Sequence, residues 1–142
     1  MTTDATDALQ RTLAGEHAAV FVLAALGGRA SALPVSPMRE ALDATYAVHV
    51  DRRDRLRAMI TAHGADPVAA EPAYRLPSPV DTAAQIAAAA LRVERACATT
   101  YAALVAATSD AERRWALDAL VATAVGEAAF GGSPEALPGL ST

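Results

Sequence analysis

The chain has 142 residues, a net charge of −4, 53% hydrophobic residues and only 4% aromatic ones, which suits one domain, residues 1–142, with a sizeable core. All 12 basic residues are arginines and no basic stripe interleaved with aromatics occurs, which argues against nucleic acid as a partner. The single Cys97 excludes an intrachain disulfide and fits a reducing cytoplasm.

The N-terminal "MTTDATDALQ" is acidic and polar, the reverse of a secretory signal's basic start. The apolar run from Ala18 to Gly28 covers 11 residues, whereas a membrane span needs roughly 20. A soluble cytoplasmic protein with no membrane association is the expectation. Strong helix formers dominate and β-branched runs are rare, so the fold class is all-α.

The first predicted helix covers about residues 4–31. Its seam reads Leu9, Leu13, Glu16, Val20, Leu23 and Gly27, with the alternating steps of four and three that face a bundle core. "LPVSP" ends it. Ser36 then serves as N-cap with Pro37 in the first helical position, opening a second helix over about 36–63. Its stripe reads Leu42, Tyr46, His49, Arg53, Leu56, Ile60 and His63. Gly64 stops it by taking up the left-handed conformation at the C-terminus.

Residues 64–81 hold Pro67, Pro72, Pro77 and Pro79, which rules out a helix. Tyr74, Leu76 and Val80 are expected to anchor this segment along the bundle. In polyproline-like form about 18 residues reach on the order of 55 Å, and a helix of about 26 residues spans about 39 Å. The connection is therefore long enough to run the whole length of the bundle. A third helix follows over about 82–108 with seam Ala87, Ala90, Glu94, Cys97, Tyr101 and Leu104. Ser109 and Glu112 form a capping-box pattern for a fourth, over about 110–130, with seam Leu117, Leu120, Val121, Ala124 and Ala128. Two helical hairpins joined by one long Pro-rich crossover is ferritin-like connectivity; the alternative is an up-and-down bundle with an oversized loop.

Polar residues interrupt three of the seams. Glu16 lies on the first helix, His49 with Arg52 and Arg53 on the second, and Glu94 on the third. A buried carboxylate needs a partner or a metal. Ferritin-like di-metal sites take a Glu from each of two helices and a Glu-x-x-His pair from each of the other two. Here the second helix offers Tyr46-x-x-His49, the third has Cys97 three residues after Glu94, and the fourth offers nothing at mid-height, with Asp118 beside its seam and Glu127 near its end.

The order of these features resembles a short, uncharacterised branch of the ferritin-like superfamily, a domain of unknown function. The segments that carry the likeness are "EHAAV", "HVDRRDRLR", "DPVAAEPAYRLPSPV", the "ER" of the third helix with Tyr101, and "LPGL" in the tail. The resemblance implies a ferritin-like four-helix bundle and leaves the activity open. Only Glu16, His49 and Glu94 match the superfamily's metal ligands in position and type, half of a di-metal site.

Two functional readings follow. In the first, the di-metal centre is degraded, no cofactor is needed, and the protein is a non-catalytic structural or interaction module. A buried polar cluster of Glu16, Tyr46, His49, Arg52, Arg53 and Glu94 then holds the bundle together, with Arg52 or Arg53 bonding both glutamates. In the second, Glu16, His49 and Glu94 bind iron or manganese in a metal-handling protein or oxidoreductase. His17 reads as a boundary residue, His63 as a helix-end cap, Cys97 as a small core residue, and Trp115 as a core or interface anchor. Alanine-rich faces at Ala87–Ala90 and Ala102–Ala107 suit close helix packing or a homodimer; the sequence does not identify another protein partner.

Overall fold

The computed structural model describes residues 2–140. Among them four α-helices form an all-helical bundle: α1 Thr2–Ala30, α2 Pro37–Ala62, α3 Ala83–Ala107 and α4 Asp110–Gly126, the last tightening into a 3₁₀ turn over Glu127–Phe130. None of these helices is long and apolar enough to cross a membrane.

Local chemistry explains the boundaries. Ser36 accepts a hydrogen bond from the Arg39 amide and Pro37 sits at the first helical position of α2. Gly64 takes φ +78° just past its end. Thr82 caps α3 in a reciprocal capping box with Gln85. At α4 the expected capping box does not form. The Ser109 side chain makes no cap bond to the helix and instead donates to Asp110, and the Glu112 side chain pairs with His63.

α1 packs against both α2 and α3, and α3 packs against α4. The hairpins are antiparallel. One end of the bundle is marked by His63, whose Nδ1 shares a 3.0 Å hydrogen bond with Thr6 at the start of α1. Its Nε2 donates to Glu112 at the start of α4 over 2.7 Å. His63 thus ties three helices together rather than only capping one.

The crossover runs the full length of α1. Gln10 bonds Asp66 and Val68, His17 donates to the Val68 carbonyl, the Phe21 and Tyr74 rings meet at 5.4 Å, and residues 76–81 lie against Ala25 and Arg29. Tyr74 and Val80 are its apolar contacts, whereas Leu76 is exposed. His17 is buried because this strap covers it; a helix considered alone puts it at the boundary.

The core is built around Leu9, Leu13, Leu23, Leu26, Leu42, Leu56, Ile60, Ile86 and Leu104. α4 is rotated relative to its expected seam. Ala116, Ala119, Leu120 and Thr123 face inward, while Leu117, Val121 and Val125 are exposed by 47%, 54% and 70%. Small inward residues let α4 approach α3 closely, which turns its larger side chains outward. The tail returns over α3. A Cβ on Gly139 would stand 2.3 Å from the Ala98 carbonyl oxygen, so only glycine permits that approach.

Candidate functional site

Three side chains from three helices meet at mid-bundle. Glu16 comes from α1, His49 from α2 and Glu94 from α3, all buried. His49 lies between the carboxylates. Its Nδ1–H donates to Glu16 Oε2 over 2.5 Å and its Nε2–H to Glu94 Oε1 over 2.6 Å. Ionised carboxylates only accept, so a ring that bonds both must carry two protons and a positive charge. Burial alone would lower the pKa of His49, but the hydrogen bonds and charges of Glu16 and Glu94 outweigh it and raise it to about 9. These are short charge-assisted bonds in a dry place, the strong kind.

The remaining polar atoms are satisfied by a second ring of residues. Tyr101 donates to Glu16 Oε1 over 2.6 Å. Burial, followed by the Glu16 charge, pushes the Tyr101 hydroxyl above its usual range, so it stays a donor. Arg52 is buried but bonds neither glutamate. It donates to Thr123 Oγ1 over 2.8 Å and to the Ala119 carbonyl over 3.2 Å, and its guanidinium lies 5.2 Å from the centre of the Tyr101 ring, within cation–π range. Among the described residues no buried side-chain nitrogen or oxygen lacks a partner.

Several expected members lie elsewhere. Tyr46 is 38% exposed. Arg53 is only partly buried and bonds Asp54 over 2.9 Å. After His49 the helix points inward at the third residue rather than the fourth, so Arg52 enters the bundle and Arg53 leaves it. Neither arginine sits between the glutamates; the histidine does. α4 brings Thr123 and Gly126 to this level, and a Cβ on Gly126 would stand 3.2 Å from Glu94 Oε2.

Cys97 belongs to this neighbourhood. It is buried one turn after Glu94, and one ligand atom from each of Glu16, His49 and Cys97 lies within 4.8 Å of the other two. Burial, and then the charges of Glu16 and Glu94, push its thiol pKa up, which keeps it protonated while no cation is bound. On the sequence alone Cys97 reads as a small core residue. The Glu-x-x-Cys spacing, which puts both residues on one helix face, was the available signal. A third buried carboxylate, Glu127, pairs with Arg95 at 3.4 Å.

Two comparisons bear on this arrangement. The family described as Domain of unknown function (DUF4439) matches residues 8–142. Among solved structures the chain is similar to the crystal structure of a conserved hypothetical protein, rv2844, from Mycobacterium tuberculosis. The two share 30% identity over 91% of this chain and 96% of that one, with a TM-score of 0.81. No curated protein matches.

Proposed function

This chain belongs to the family described as Domain of unknown function (DUF4439), and we propose that it is a non-catalytic structural and interaction module on a ferritin-like frame. In this reading the His49 imidazolium takes the place that metal ions occupy in ferritin-like enzymes. The observation that carries it is the bonding of both His49 nitrogens to carboxylates from two other helices. One charged ring thereby joins α1, α2 and α3 at a fixed height. The ferritin-like assignment draws support from two antiparallel hairpins joined by a strap that follows α1 from end to end. The lone buried thiol suits a cytoplasmic setting.

A di-metal centre does not fit this donor set. Such centres need several bridging carboxylates, and α4 offers a threonine and a glycine where a ligand pair would be required. A single iron or manganese ion on Glu16, His49 and Glu94 is the second reading, favoured by their burial side by side. Weighing against it, the two carboxylates lie on opposite edges of the imidazole. An ion on one ring nitrogen would face only one of them.

The interaction role draws on α4, where Leu117, Val121 and Val125 recur every four residues on the exposed face. A second copy of the chain is the proposed partner, since two-fold dimers are the commonest assemblies. Ala89, Ala90 and Ala102 of the alanine-rich α3 are spent inside the bundle, so the pairing surface is assigned to α4.

The test is elemental analysis of protein from iron- and manganese-supplemented medium, purified without metal columns, beside a Glu16→Ala/His49→Ala variant. The expected result is no stoichiometric iron or manganese in either sample. Near-stoichiometric iron or manganese that disappears in the variant overturns the structural reading and establishes the second.

A further inference from the structure

We infer that Glu16, His49 and Cys97 form a mononuclear site for a divalent ion of the zinc class, taken up in exchange for two protons. The inference goes beyond the structural reading, because it concerns what can replace the proton on His49 Nδ1. A carboxylate oxygen, a ring nitrogen and a thiol sulfur converge here from α1, α2 and α3, mutually within 4.8 Å. Donor atoms around a tetrahedral zinc ion stand about 3.3–3.7 Å apart. The Nδ1–Oε2 pair, now at 2.5 Å, would open by about an ångström, and the sulfur would close by little more than that.

The supporting shell is already in place. A metal-binding histidine gives its other ring N–H to a carboxylate, which sets tautomer and ring orientation. Glu94 occupies that position on Nε2 at 2.6 Å. The second oxygen of Glu16 is held by Tyr101 at 2.6 Å, leaving the first free to turn to an ion. Glu94 is therefore an orienting group here and Cys97 the ligand, the reverse of the roles that ferritin-like motifs suggest.

The charge balance favours the exchange. In the metal-free cluster the imidazolium and the two ionised glutamates sum to −1, with a neutral thiol. When a divalent ion displaces one proton from Nδ1 and one from sulfur, the sum is again −1. The buried charge is unchanged, and Arg52, stacked over Tyr101 at 5.2 Å, offsets it in both states. A thiolate among the donors favours zinc-class ions over manganese, magnesium or calcium. A shallow groove of about 170 Å³ between α1 and α3, walled by Gly15, Ala18 and Ala96, leads to Cys97.

Cobalt(II) is the probe. Chelator-stripped, reduced full-length protein is equilibrated with Co²⁺ both as folded protein and by refolding from urea in its presence, so that a slow-opening bundle still loads. One ion per chain is expected, with a thiolate-to-cobalt charge-transfer band in the near ultraviolet. Zinc titration at pH 7 should release about two protons per ion. Cys97→Ala should lose the band and weaken binding by at least about tenfold, whereas Glu94→Gln should keep the band and weaken binding about 10–100-fold. No cobalt bound, cobalt bound without the sulfur band, or a band lost in Glu94→Gln but kept in Cys97→Ala would each overturn the site. If Cys97→Ala fails to fold, the wild-type band and proton count decide. Failure here leaves the imidazolium bridge standing, which is judged separately by stability against pH.

Discussion

Tyr101 and Glu16, 85 positions apart in the chain, meet inside the bundle through a 2.6 Å hydrogen bond. The tyrosine also stacks edge-on against Trp115 at 5.8 Å and beneath Arg52, so one side chain links the charged centre to α4. Tyr101→Phe keeps the ring and removes only the donor to a buried carboxylate. A loss of about 1–3 kcal/mol is expected, read as a lower urea midpoint at unchanged m-value. An unchanged midpoint would show that Glu16 does not need this bond.

Stability should fall as the solution becomes alkaline. His49 titrates near 6.5 when exposed and at about 9 in the fold. Its contribution is therefore complete below about pH 6.5 and is lost as the pH rises through about 9. The linked free energy is on the order of 3 kcal/mol. Cys97 and Tyr101 are also raised, so they continue the decline above their ordinary ranges. Urea midpoints between pH 6 and 9.5 check this. His49→Gln should flatten the slope between 6.5 and 9, and a wild-type profile that is flat there would refute the imidazolium bridge.

Removing the histidine alone should be worse than removing the whole charged set. His49→Ala leaves two carboxylates buried without their cation and should cost about 3–5 kcal/mol. Replacing Glu16, His49 and Glu94 together by leucine removes the need for compensation and should recover much of that loss. Denaturant titration of the single and triple variants gives the comparison. A triple variant less stable than His49→Ala would mean that the charged set is worth more than the apolar packing that replaces it.

The outer face of α4 makes a separate prediction. Val121 is 54% exposed, so Val121→Glu should change chain stability by less than about 0.5 kcal/mol. If two copies pair through this face, the same change buries a charge in the contact and yields a monomer. Light scattering after size-exclusion chromatography reads the mass, and a wild-type monomer at micromolar concentration would refute the pairing.

The helices were legible because their signals are local. Ser36-Pro37 and Gly64 act on the residues beside them, and the proline spacing that barred a helix between residues 64 and 81 also supplied the reach for a strap along α1. Glu16, His49 and Glu94 stood out as polar breaks in apolar seams. The burial of His17 was not legible, since it depends on a strap some 50 residues later. Nor was the outward turn of Leu117 and Val121, since their faces are chosen by how closely Ala116 and Ala119 let α4 approach its neighbours.

The sequence by itself determined that this is an all-helical chain of two hairpins with two buried carboxylates in want of a cation. Only the tertiary structure decided which cation answers them. Residues 49, 52 and 53 share one side of α2, and at about 100° per residue a modest rotation of the helix selects among them. Packing against α1 and α3 sets that rotation. It brings the His49 ring between Glu16 and Glu94, sends Arg52 to Thr123 and Tyr101, and leaves Arg53 near the solvent.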